Sequence, residues 1–248
     1  MHAAIFRFYA ELNDFLPPGL RRCTIIYRFY GSPAVKDAIE ALGIPHVEVD
    51  LILANGRSVG FDYRLQPGDR IAVYPVFESL DITPLVRLQD RPLRDPRFIA
   101  DVHLGKLVRL LRLLGFDTVQ FGRGKDAALV EAALSDHRII LTRDRDLLKR
   151  GQVTHGYWVR STDSVEQARE VVNRFDLRTQ VRPFTRCPGC NGLLTPVEKE
   201  DVLDRIPPKT ATWLDEYFIC QDCGKLYWRG THYPRLRETI ARILHDAH

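Results

Sequence analysis

Apolar positions follow three different rhythms along the chain. Over the first eighty residues the period is two. Phe6 and Phe8 alternate with Arg7 and Tyr9, and Cys23, Ile25, Tyr27 and Phe29 share one face of a second predicted strand, which makes Cys23 a core residue. Gly31-Ser32-Pro33 predicts a helix start with Ser32 as N-cap and Pro33 at the first helical position, and Gly43 marks its end. Val49, Leu51 and Leu53 lead into Asn55-Gly56, a pair suited to a two-residue hairpin because both positions accept positive φ. Pro67-Gly68-Asp69 then turns the chain into a last strand, Arg70 to Val76.

From residue 97 to 180 short apolar runs alternate with amphipathic stretches, the pattern of an α/β sheet. Phe98-Ile99-Ala100 predicts a strand ending at Asp101. Leu104, Leu107, Val108, Leu111 and Leu114 recur at helical spacing, and Gly115 closes that helix. Asp117 to Phe121 is a second strand, Asp126 opens a helix, Arg138 to Thr142 is a third strand, and Tyr157 to Val159 a fourth. Ser164-Val165-Glu166-Gln167 reads as a capping box before the next helix. Residues 181–248 hold two cysteine pairs, a Pro207-Pro208 break and a predicted terminal helix, Arg235 to Leu244, with Leu236, Ile240 and Ile243 on one side.

These rhythms predict a multidomain protein of mixed α/β and α+β class. Residues 1–80, in the order ββαββ, predict a ubiquitin-like β-grasp module. Residues 81–96, with Pro84, Pro92 and Pro96 among charges, predict a linker. An α/β domain over 97–180 and a cysteine-bearing domain over 181–248 follow. Asn55-Gly56 and Gly68-Asp69 make the first module similar to the small sulfur-carrier proteins of the β-grasp fold. Those end in a Gly-Gly tail, whereas here the chain runs on through Pro75-Val76-Phe77-Glu78, so binding a protein partner or packing is the expected role.

Cys187-Pro-Gly-Cys190 and Cys220-Gln-Asp-Cys223 repeat one spacing, and Cys23 is the remaining cysteine. Two residues between cysteines let both thiolates face one ion, and two such knuckles complete a tetrahedral Zn²⁺ shell. A pair of disulfides is the competing reading. It is disfavoured by a chain otherwise poor in cysteine and by an N-terminus, Met1-His2-Ala3, without an export pattern, so the cytoplasm is the expected compartment. No run approaches the ~18 apolar residues of a membrane span. The net charge of +4 is small, but residues 81–180 hold 18 basic against 14 acidic residues. That excess is compatible with a phosphate-bearing partner.

The aspartates fall where chemistry is expected. Asp101, Asp144 and Asp146 follow apolar strands, and Asp126 stands at a helix mouth after Gly122-Arg123-Gly124-Lys125. In an open parallel sheet ligands bind beyond the carboxyl ends of the strands. Carboxylates gathered there repel one another and stay ionised together only with cations to neutralise them. Oxygen-only ligands favour Mg²⁺ or Mn²⁺. Arg123, Lys125, Arg143 and Arg145 flank these positions, and Lys106 and Arg109 lie on the first helix, so all six are candidate RNA-phosphate contacts. Each aspartate has a plainer reading. Asp126 and Asp101 precede helices and could cap them, and Asp146 could cap the Leu147-Leu148 turn. Glu131, His103 and His232 read better as solvated or supporting residues. Trp213, Tyr217, Tyr227 and Trp228 could stack on bases but fit a small core at least as well.

Taken together, Asp101 through Gly115-Phe-Asp117-Thr118, Leu141-Thr-Arg-Asp144-Arg-Asp146-Leu-Leu and the two knuckles closely resemble the Mut-7 C-terminal RNase family. Asp204-Arg205-Ile206-Pro207-Pro208 and Tyr227-Trp228-Arg229-Gly230-Thr231-His232 resemble the same family's ribbon. The resemblance implies a PIN-like nuclease domain with a zinc ribbon, preceded by a ubiquitin-like module. It further implies hydrolysis of RNA by divalent metal at Asp101, Asp126 and Asp144, with Asp146 as a fourth position. Two other readings compete. One is a non-catalytic RNA-binding adaptor whose β-grasp module holds a protein. The other is a phosphatase built on Asp144-Arg-Asp146, disfavoured by Leu148 where such motifs carry Thr or Val.

Overall fold

A computed structural model describes residues 1–75, 96–122 and 124–245, with the side chain of Lys209 left aside. The predicted linker over 81–96, all but Pro96, the end of the predicted strand at Val76, and Arg123 lie outside the described residues. By internal contacts the chain forms two units. The first is the described part of residues 1–93 together with Thr142–Trp158. The second is the described part of 94–141 and 159–248.

The N-terminal module contains β1 (His2–Phe8), β2 (Ile25–Phe29), α1 (Val35–Ala41), β3 (Val49–Ala54), β4 (Arg57–Val59) and β5 (Arg70–Pro75). Its sheet runs in the order β2-β1-β5-β3-β4. β1 and β5 are parallel at the centre, and each carries an antiparallel partner. This is the β-grasp arrangement. Ala4, Phe6 and Phe8 on one face of β1 join Ile39, Ile52, Ile71 and Val73 in its core. The hairpin at Asn55-Gly56 forms as expected, with φ of +51° and +81°. Gly43, at φ +99°, ends α1.

Two local expectations in this module give way. Cys23 is exposed and lies before β2. The helix starts at Val35 after Ala34, and Ser32 does not cap it. Instead Ala34 bridges Arg64, and Leu65 N–H and the Pro33 carbonyl join at 3.0 Å. A long-range pairing holds Pro33-Ala34 extended and overrides the local capping signal.

The second sheet contains β6 (Phe98–Ala100), β7 (Thr118–Gln120), β8 (Ile139–Thr142) and β9 (Gly156–Trp158), in the order β7-β6-β8-β9. β6 is parallel to both β7 and β8. Every residue of β6 and β8 is buried, as central strands of a parallel sheet covered on both faces must be. The connecting helices are α2 (Gly105–Leu113), α3 (Asp126–Ser135), the single turn α4 (Arg145–Leu148) and α5 (Ser164–Arg174). Leu107, Val108 and Leu111 bury the apolar face of α2, while Lys106 and Arg109 occupy its exposed face. The cap of α5 is Asp163, whose carboxylate accepts from the N–H of Val165 and Glu166, one residue earlier than the predicted Ser164. Asp has the reach of Ser plus a charge suited to a helix N-terminus.

The C-terminal part holds β10 (Leu194–Val197), the turn α6 (Pro208–Ala211), β11 (Tyr217–Cys220), β12 (Leu226–Trp228) and α7 (Tyr233–Leu244). The three strands form an antiparallel ribbon. Tyr217, Val202 and Ile206 make its small core, and Trp213 is exposed. Ile240 and Ile243 of α7 are buried, while Leu236 is partly exposed. The Arg169 guanidinium ties α5 to α7 by donating to the Arg242 carbonyl at 2.6 Å. No helix among the described residues is long and apolar enough to cross a membrane.

Candidate functional site

The four paired cysteines come together. Their sulfurs all lie within 4.8 Å of one another, with Cys187 to Cys223 at 3.8 Å and Cys190 to Cys220 at 3.3 Å. A tetrahedron with Zn–S of ~2.3 Å has edges of about 3.8 Å, whereas a disulfide is about 2.05 Å, so the spacing fits one ion and no disulfide. Among the described residues this is the one group of three or more potential ligands so gathered. The donor set, four soft thiolates with no open position, suits a structural Zn²⁺.

The knuckles share one backbone plan. Cys187 N–H donates to Gly192 O at 2.8 Å and Asn191 N–H to Cys187 O at 3.0 Å. Cys220 N–H donates to Lys225 O at 3.0 Å and Gly224 N–H to Cys220 O at 2.9 Å. The residue after each second cysteine is left-handed, Gly224 at φ +68° and Asn191 at φ +82°. Burial pushes the Cys187 thiol up, but the Tyr227 hydroxyl 2.9 Å away and the N–H groups of Cys190 and Gly189 outweigh it and bring it down to about 6. Cys190 moves the other way, to about 12. The Gly192 N–H pulls it down, but burial and the hydrogen bonds with the sulfurs of Cys220, Cys223 and Cys187 outweigh that bond. A bound cation would replace this difference between Cys187 and Cys190 by holding all four sulfurs as thiolates.

Asn191 does more than turn the chain. Its amide donates to Asp117 Oδ1 at 2.8 Å, and its carbonyl oxygen accepts from Thr118 N–H at 3.0 Å. Arg112 donates to Thr118 O (2.7 Å), Pro188 O (3.2 Å) and Gly189 O (2.8 Å). Asp117 also pairs with Arg138 at 2.7 Å and Arg186 at 3.8 Å. Burial pushes the Asp117 carboxyl up, but bonds from Arg138 and Asn191 and the nearby Arg186 charge hold it below the ordinary value. Sequence reasoning missed this joint. Its one local signal is Asn at a position that otherwise takes glycine.

The carboxylates are each set by their own element. Asp101 directly follows β6, and its Oδ1 accepts from His103 N–H at 2.9 Å. Asp144 follows β8, and its Oδ1 accepts from the N–H of Asp146 (2.8 Å) and Leu147 (3.4 Å). Both strand-end carboxylates are thus aimed by an N–H two residues on. β6 and β8 are in register at Ala100↔Leu141, and Asp101 N–H donates to Leu141 O at 3.2 Å. The cap of α4 is therefore Asp144 and not Asp146, whose exposed carboxylate pairs with Lys149 at 3.0 Å. Asp144 Oδ2 takes no protein hydrogen bond among the described residues. Asp126 is the first residue of α3, with Lys125 at the cap position.

Lys106, Arg109, Lys125 and Arg143 are exposed. Arg145 is otherwise engaged: its guanidinium lies 4.0 Å from the Trp158 ring centroid and 5.4 Å from that of Phe15. His103, His232 and Glu131 are exposed. Tyr217 fills the ribbon core.

A family model described as the Mut7-C RNAse domain matches residues 96–240, and one described as Mut7-C ubiquitin matches residues 1–81. The human (Homo sapiens) exonuclease mut-7 homolog is 37% identical over 106 residues, which are 40% of this chain and 12% of that protein. The chain thus corresponds to a small part of that relative. Two structures of small archaeal modifier protein 1 from Haloferax volcanii are 22% identical, with a TM-score of 0.25. They cover 30% and 31% of this chain and 98% of their own.

Proposed function

The chain belongs to the Mut7-C RNAse domain family, and from that membership we propose that it is a metal-dependent ribonuclease with a PIN-like catalytic domain. The observation that carries the reading is that Asp101 and Asp144 each leave the carboxyl end of a buried strand, β6 and β8, with the same N–H brace. Ligand chemistry in such sheets is placed beyond those ends. Asp126, at the start of α3 after β7, and Asp146, two residues beyond Asp144, complete the proposed set.

Oxygen-only donors fit Mg²⁺ or Mn²⁺ and fit the thiophilic metals poorly. A bound divalent cation supplies a Lewis acid for the scissile phosphodiester. The protein's own part is binding and aim. Asp101 and Asp144 offer carboxylate oxygens whose direction the backbone sets. Lys106, Arg109, Arg123, Lys125 and Arg143 supply charge for RNA phosphates flanking the cleavage point. Arg145 drops out of that set because its guanidinium lies over Trp158 and donates to the Phe15 carbonyl. The cysteine ribbon, loaded with zinc, stiffens the domain through Asn191 and Arg112.

The test is cleavage of end-labelled single-stranded RNA with Mg²⁺ or Mn²⁺. Asp144→Asn should lower the rate at least about a hundredfold, the scale on which a single group aimed at the reacting centre acts. Equal cleavage by both proteins overturns the assigned site. Salt-dependent RNA binding with no product under any metal would favour an RNA-binding adaptor instead.

A further inference from the structure

The segment that leaves β8 carries Asp144, and within its own unit it is held by the β-grasp module at three points. Near its start, Arg145 lies over Trp158 and Phe15 and donates to the carbonyls of Phe15 at 3.1 Å and Asp14 at 3.5 Å. In its middle, His46 Nε2 donates to the Val153 carbonyl at 3.0 Å, while Nδ1 sits 2.6 Å from Glu40. At its end, Trp158 N–H donates to the buried Glu48 carboxylate at 2.7 Å, and the indole packs on Phe15 with ring centroids 4.8 Å apart. Trp158 is part of the shell around the β-grasp core.

We infer that the β-grasp module serves as the positioning element for the Asp144 turn, with Arg145 and His46 as positioning residues. This rests on the nuclease reading for its consequence in catalysis, but not for its geometry. Arg145 is the residue next to Asp144, so anchoring its side chain restrains the backbone that aims the carboxylate. On the other side of Asp144, its N–H donates to Thr142 Oγ1 at 2.9 Å, and Thr142 is fully buried. Leu147 and Leu148 bury the far side of the same turn. The turn is only one helical turn long, too short to hold its own shape in water. Its rigidity must come from outside: Phe15 and Asp14 hold Arg145 in the turn itself, and His46 and Glu48 hold Val153 and Trp158 further along the same segment. A guanidinium set over an indole while its forked donors reach two carbonyls is a specific device, because planar stacking and forked donation both need Arg and are lost with Lys.

The inference gives the N-terminal module a task that needs no tail chemistry and no separate protein. It also explains why an arginine beside a strand-end aspartate, in sequence a natural phosphate contact, is engaged by Trp158 and by the carbonyls of Phe15 and Asp14.

The experiment uses the full zinc-loaded chain and two readouts. The first is amide hydrogen exchange at Asp146 and Leu147, whose N–H groups the Asp144 carboxylate holds. Arg145→Ala should speed it about tenfold, Arg145→Lys should recover only part of the protection, and His46→Gln, which keeps a donor toward Val153 O, should recover more than His46→Ala. The second is RNA cleavage. Arg145→Ala should lower kcat about tenfold with KM changed less than about twofold, since a misaimed group costs turnover and not binding. Unchanged exchange in Arg145→Ala and His46→Ala overturns the inference. So does faster exchange in a wild-type-active enzyme whose kcat does not move. If Arg145→Ala fails to fold, Arg145→Lys and the His46 pair decide. If the wild-type chain cleaves no RNA, the nuclease reading fails, and the exchange readout alone still judges the positioning.

Discussion

The thiolate cluster and the strand-end carboxylates are both candidate cation sites, built in opposite ways. The cysteines sit on two copies of one local turn, so ligand, turn residue and backbone bond recur at the same offsets. Every sulfur lies within 4.8 Å of the other three. The aspartates are carried by separate strands, and each first satisfies a neighbouring N–H. Asp144 keeps one oxygen to offer outward. A closed set of soft donors stabilises a fold, whereas spaced hard donors with spare coordination suit exchangeable metal and substrate.

That contrast orders the expected effects of mutation. Removing a ribbon ligand should be the most damaging change. Cys220→Ser, or chelation of the wild type, should melt the ribbon, because apparent binding energies of structural zinc reach ~10 kcal/mol or more and are folding energy. The check is zinc stoichiometry with near-ultraviolet dichroism from Tyr217 and Trp228. A ribbon that stays folded without metal would erase the distinction drawn here.

Gly115→Ala comes next. At φ +99° an added Cβ would lie 2.3 Å from the Arg182 carbonyl, where backbone meets backbone. We expect a loss of about 2–3 kcal/mol from strain and displaced chain, read by denaturant midpoint at constant slope.

Asp117→Asn is milder and sharper in pH. It removes the charge that Arg138 and Arg186 face, at about 1–3 kcal/mol for a half-buried pair. The folded carboxyl is held below its unfolded value of about 3.9. Its contribution is therefore fully present above pH ~4 and is lost as pH falls through the lowered folded value. The gap in stability between wild type and Asp117→Asn should close on acidification. A gap that stays constant from pH 7 to 3 contradicts the assignment. The smallest effect is expected for Trp213→Ala, within about 0.5 kcal/mol in stability, because the ring is 58% exposed.

What was legible in the chain follows the range of the forces involved. Asn55-Gly56, Gly43 and Gly115 announce turns because positive φ is a property of the residue itself. The cysteine pairs are legible for the same reason, since the knuckle is local. Ser32 misled because its capping signal competes with the pairing of Ala34 to Arg64, thirty residues away in sequence. Arg145 could not be read at all, since its aromatic neighbour Phe15 and the carbonyl it binds are 130 residues distant. Asn191 was legible only as a turn residue, and its grip on Asp117 and Thr118 came from the fold. The strand-end positions of Asp101 and Asp144 were visible from apolar runs alone. Their common N–H brace was not, because it depends on the φ and ψ of the two residues that follow.

The proposed function requires Asp101 and Asp144 to bind a hard divalent ion and the four sulfurs to bind zinc. Mn²⁺ titration of the zinc-loaded protein, followed by electron paramagnetic resonance, tests this directly. We expect wild type to take up Mn²⁺ without losing zinc, and Asp101→Asn and Asp144→Asn each to weaken that uptake at least about tenfold at unchanged zinc content. Manganese affinity that is absent from the wild type, or unaltered in both variants, contradicts it.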